Sequence, residues 1–112
     1  MDASERAAQI WPVLVLAAHN RQTLTYDLLG QIIGVPHFGL GQLLEPIQAY
    51  CQAHKPLELP PLTSLVVGKD DGMPGSGFIA ASDIPLAHAR VFNYDWLGER
   101  TPMPDDLRAA KP

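Results

Sequence analysis

The chain has 112 residues, enough for one domain with one core. Its 46% hydrophobic and 18% charged residues fit a folded globular protein and exclude a disordered one. A formal charge of −4 argues against a simple binder of nucleic acid, because displacing counterions from phosphates needs concentrated positive charge.

A first helix is expected over Ser4 to His19, capped by Ser4, with Glu5 in its first turn. Ala7, Ile10, Trp11, Leu14, Val15 and Ala18 recur at three- and four-residue spacing and form its apolar stripe. Pro12 lies inside that pattern and predicts a kink, or a late start near Ile10. After the polar connector Asn20-Arg21-Gln22, Thr25 is a good N-cap for a helix through Ile33, with Leu28, Leu29, Ile32 and Ile33 facing inward and Gly34 ending it. A third helix begins near Pro36 or His37 and buries Leu40, Leu43 and Leu44. Glu45-Pro46 reads as a fresh start, so a fourth helix should carry Ile47, Tyr50 and Cys51 to about His54.

Pro56, Pro60 and Pro61 take the chain out of helical geometry. Residues 62–68 are apolar and rich in β-branched side chains, which predicts a buried strand. Turn chemistry follows in Lys69-Asp70-Asp71-Gly72-Met73-Pro74-Gly75, and residues 77–80 should pair back as a hairpin. Ser82-Asp83 caps a last helix from Ile84 to about Asp95, with Ala87, Val91, Phe92 and Trp96 packed inward. The expected fold is therefore α+β and mostly helical, a winged helix-turn-helix with a two-stranded wing and a C-terminal helix. Residues 1–98 form the single domain, and 99–112 read as a flexible tail.

Chemistry-bearing patterns are sparse. The single cysteine excludes an internal disulfide framework and suits a reducing cytoplasm. The chain opens on no basic-then-apolar leader, and its longest apolar run, Val13 to Ala18, cannot cross a bilayer, so a cytoplasmic protein off the membrane is expected. Cys51 falls on the inward side of a predicted helix, where a thiol is unreactive. His19, His37, His54 and His88 show no metal-ligand spacing. Gly72-Met73-Pro74-Gly75-Ser76-Gly77 lacks the Lys-Ser/Thr ending of a phosphate loop and opens a strand rather than a helix. Asp70-Asp71 and Asp105-Asp106 are adjacent pairs that do not face each other, and no serine has a Gly-x-Ser-x-Gly setting. No catalytic residue, metal or cofactor is expected.

One longer pattern stands out. Thr23-x-Thr-Tyr-x-x-Leu-Gly, then Gly-Val-Pro, then a Gly-Leu-Gly helix, resembles the DNA-binding domain of O6-alkylguanine-DNA alkyltransferases and alkyltransferase-like proteins over roughly residues 10–80. The Leu-Pro-Pro-Leu-Thr and Gly-x-Pro-Gly-x-Gly-Phe stretches are also similar to those of small bacterial proteins. The resemblance implies that Tyr26 presses on a backbone phosphate during base flipping and that Gly41 allows close approach of the recognition helix to duplex. Asp27 stands where that family has glycine, and Phe38 where it has an arginine finger. Pro61-Leu62-Thr63-Ser64 replaces the Pro-Cys-His-Arg active site, so no alkyl transfer is implied.

Two readings follow. In the first, the protein is a non-enzymatic binder of double-stranded DNA. Thr25 and Tyr26 touch the backbone, Arg21 and Lys69 neutralise phosphates, His37, Phe38 and Gln42 enter a groove, and Ser76 contacts a phosphate from the wing tip. Phe38 has an equally good alternative as a core residue against Tyr26 or Trp11. In the second, acidity, the missing arginine and the apolar Phe38, Met73 and Phe78 mark a protein-interaction module, a homodimer or a subunit of a larger assembly.

Overall fold

In a computed structural model, which describes residues 1–110, five α-helices surround one apolar core with a two-stranded sheet at its side. Helix α1 (Ala3–His19) is the spine. Its cap is Asp2 rather than Ser4: the Glu5 N–H donates to Asp2 Oδ1 at 2.9 Å, and Glu5 Oε1 accepts from the Asp2 N–H at 3.1 Å. Pro12 neither delays this helix nor divides it. It sits on the exposed face, where water can serve the carbonyl that lost its partner, while Ile10, Trp11 and Leu14 on the other side are buried.

Strand β1 (Leu24–Thr25) leads into α2 (Tyr26–Ile33), capped as expected by Thr25, whose Oγ1 accepts the Leu28 N–H at 3.1 Å. Gly34 ends it in the left-handed region (φ 75°). Of its side chains beyond glycine, only that of Leu29 is buried. Leu28 and Ile32, expected inward, are 44% and 52% exposed, because eight residues present a single narrow stripe to α1.

A 3₁₀ turn at His37–Gly39 opens α3 (Leu40–Ala53). Here the expected break at Pro46 does not occur, and no separate fourth helix starts there. An interior proline costs about 3 kcal/mol. Against it, Leu40, Leu43, Leu44, Ile47 and Cys51 all bury on one face, at roughly 1.5–3 kcal/mol for each large apolar side chain. Packing wins over the local preference.

Residues 62–65 form a buried 3₁₀ turn, so the predicted strand shrinks to β2 (Val66–Val67). It pairs in parallel with β1, Leu24 opposite Val66 and Thr25 opposite Val67. Among the described residues no returning strand follows, and the two-stranded wing is not formed. The Gly68 N–H donates to the Met73 carbonyl and the Gly72 N–H to the Gly68 carbonyl, both at 2.9 Å, so the loop closes on itself at Gly72 (φ 66°). Farther on, the side-chain amide of buried Gln48 takes the place of a neighbouring strand. Its Oε1 accepts from the Ile79 N–H at 3.0 Å and its Nε2 donates to the Gly77 carbonyl at 3.4 Å.

Helix α4 (Ile84–Asn93) is capped by Asp83, and Trp96 fills the core from a 3₁₀ turn at Trp96–Gly98 rather than from the helix itself. Trp11 packs edge-on against both Tyr50 and Trp96, with ring centroids 5.5 and 5.8 Å away. The segment expected to be a loose tail is instead built into the fold through residue 110; Lys111 and Pro112 lie outside the described residues. Helix α5 (Pro104–Ala109) buries Leu107 completely between α1 and α3, and Pro102 is buried with it. Arg108 reaches Asp2 at 2.8 Å and Arg100 reaches Asp106 at 3.0 Å. No helix of the described residues is long and apolar enough to cross a membrane.

Candidate functional site

The bend between α2 and α3 carries most of the residues singled out from sequence. Its geometry depends on Gly30: a Cβ there would stand 2.5 Å from the Val35 carbonyl oxygen. The Val35 N–H in turn donates to the Gly30 carbonyl at 3.0 Å, which folds the chain back tightly beside α2. Pro36 then leads into the 3₁₀ turn.

Phe38, at the middle of that turn, is 82% exposed. The core alternative for this ring is therefore excluded; its one aromatic neighbour is the imidazole of His37, edge-on at 5.8 Å. His37 and Lys69 converge on a single carboxylate. Asp27 places Oδ1 3.5 Å from His37 Nδ1 and Oδ2 3.8 Å from Lys69 Nζ. All three are largely exposed, so the pairs add little stability, but they decide the local field. Asp70 and Asp71 follow directly, and Asp71 Oδ1 accepts from the Met73 N–H at 3.0 Å. A shallow concavity of about 280 Å³ lies here, between Thr25, Tyr26, Asp27, His37, Gly68 and Lys69.

The remaining candidates are placed less favourably for a phosphate backbone. Thr25 is occupied as the α2 cap. Tyr26 Oη accepts from the Gly75 N–H at 2.8 Å and pins the 68–80 loop to α2; a Cβ on Gly75 would stand 2.7 Å from it. Arg21 lies elsewhere, with its guanidinium 3.4 Å from the Phe92 carbonyl, 3.2 Å from Asn93 Oδ1 and over the Phe92 ring, at the C-terminal end of α4. Gln42 is exposed on the first turn of α3, and Ser76 is exposed in the loop. Gly41 faces open space. The structure thus groups Thr25, Tyr26, His37, Phe38 and Lys69 near one bend and separates Arg21 from them.

Two residues that matter here carry little signal in the sequence. Asp27 reads there only as a departure from glycine, and its acidity beside Lys69 and His37 needs the fold to become visible. Gln48 had no sequence signal, since one polar residue on an apolar helix face is unremarkable until a backbone segment passes it.

Nucleophilic chemistry finds no support in the one thiol. Cys51 is buried, and desolvation pushes it up to about 12, far from the thiolate at neutral pH. Among the described residues no three His, Cys, Asp or Glu side chains are grouped to hold a metal ion. No protein-family model, curated protein or solved structure matches the chain.

Proposed function

We propose that the protein is a non-enzymatic interaction module that docks on a protein partner through the bend between α2 and α3. One observation carries this reading: Phe38 stands 82% exposed on a turn where the His37 imidazole and the Lys69 ammonium both lean on Asp27. An aromatic ring brings about 150–250 Å² of burial to an interface, and a short hydrogen-bonded turn presents it at low entropic cost. The surrounding acids favour a partner that offers an apolar pocket with a basic rim.

Duplex DNA is the competing ligand, in keeping with the resemblance to alkyltransferase-like proteins. In its favour, Gly41 is open and Gln42 and Phe38 are exposed at the start of α3. Against it stand Asp27 beside Lys69, the two acids that follow Lys69 in the chain, the bonded Tyr26 hydroxyl and the remote Arg21.

Titration with labelled duplex, mismatched and alkylated DNA at ~50 mM salt, where phosphate contacts count most, separates the two. No binding is expected. Binding that weakens steeply with salt and is lost in Lys69→Glu would overturn the interaction reading. Sedimentation of wild type and Phe38→Ser then tests self-association as one form of it. A dimer abolished by Phe38→Ser identifies a second copy as the partner, and a monomer directs the search to another protein.

A further inference from the structure

A second concave surface lies between α1 and the segment after α4, apart from the α2–α3 bend. It is a groove of about 280 Å³ whose floor is Trp11, Val15 and Trp96. A smaller hollow of about 130 Å³ continues it beside Tyr94 and Asp95. The walls are two leucines that folding has left uncovered, Leu16 at 60% and Leu97 at 76% exposed. Apolar surface in this arrangement gains from being covered by another apolar body.

Charge on the groove is one-sided. Among the described residues no lysine or arginine lines it, and His19 is its only basic group. At the Thr101 end sits Glu99, which is partly exposed. The Tyr94 hydroxyl donates to Glu99 Oε1, whereas the nearest cationic candidate to Oε2 is His54 Nε2 at 3.7 Å, outside hydrogen-bond range. A carboxylate accepts about four hydrogen bonds, so Oε2 retains capacity for a donor. The Asp95 carboxylate adds a second negative charge beside the smaller hollow, with Oδ1 already accepting from the Gly98 N–H.

We infer that this groove binds a small protonated arylalkylamine, its ring between the exposed Leu16 and Leu97 and its ammonium on Glu99. The volume accommodates a single-ring ligand of this kind, and the acceptor at one end sets its direction. A charge-assisted bond at a partly buried carboxylate discriminates the amine from a neutral isostere by roughly tenfold in affinity.

The chain has two tryptophans and both are in this groove, so intrinsic fluorescence reports on it directly. Phenethylamine should shift the emission saturably, with phenylpropanol about tenfold weaker and phenylacetate weaker still. Glu99→Gln should bring the amine to the level of the alcohol. Leu97→Lys, at an exposed position that the fold tolerates, should abolish amine binding while the thermal melt stays unchanged. An amine response that fails to saturate overturns the inference. So does an alcohol that binds as well as the amine, or unchanged amine binding in Leu97→Lys.

Discussion

Residues 68–80 and residues 99–110 are both short and broken, the first by glycines and a proline and the second by two prolines, yet they are ordered by opposite means. The first was expected to be a regular hairpin and is an irregular loop, its backbone groups served by the Tyr26 hydroxyl and the Gln48 amide. The second was expected to fray and is docked, because Leu107 is completely buried and Arg108 and Arg100 lie against acids on either side. A segment without strand or long-helix propensity is held either by side chains that substitute for a backbone partner or by one apolar anchor. The anchor gives more stability, and the substitution gives position.

The contrast can be broken most severely at the anchor. Leu107→Ala should cost about 2–5 kcal/mol in urea unfolding, the range for a large core side chain replaced by alanine. A cost under ~0.5 kcal/mol, typical of a surface site, would mean that α5 is not part of the core. Next comes the amide: Gln48→Ala strands the Ile79 N–H and the Gly77 carbonyl and should cost about 1–3 kcal/mol. Its distinguishing mark is faster hydrogen exchange at Ile79 with α5 unaffected; equal acceleration in both segments would merge the two regions into one cooperative unit. Tyr26→Phe removes a single acceptor and should cost ~0.5–1.5 kcal/mol, with the exchange change centred on Gly75.

The smallest effect is the response to acid, and it should be confined to the docked segment. The Arg100 side chain and the Met103 N–H hold the Asp106 carboxyl below its ordinary value of 3.8. The Glu5 N–H, with help from Arg108, does the same for Asp2. Depressed carboxyls contribute stability that is present above 3.8 and is lost as the pH falls through the lowered folded values. NMR of the Leu107 methyls through an acid titration should therefore report loosening at the α1–α5 junction, while the Ile79 amide holds its position. Simultaneous change at both sites would show that the two segments are not independently held.

Much of this architecture was legible in the residues. The apolar stripe of α1, the Thr25 cap, the Gly34 stop, the bend before Leu40 and the Asp83 cap all follow from periodicity and from side chains that reach only their own neighbours. The buried, inert Cys51 was legible for the same reason. What the local pattern misjudged is where distant groups compete with it. Pro46 signals a helix start, yet burial of the surrounding leucines and Ile47 holds one helix through it. Residues 77–80 signal a strand, yet Gln48 had already taken their backbone groups. Leu107 gave a tail no apparent anchor until α1 and α3 formed the cleft that receives it. At the candidate site, sequence identified Phe38, His37 and Lys69 as residues of interest, and only the tertiary structure set Asp27 between His37 and Lys69. Caps and turns are decided within a few ångströms along the chain, whereas burial and the sign of a surface field depend on which remote residues arrive beside them.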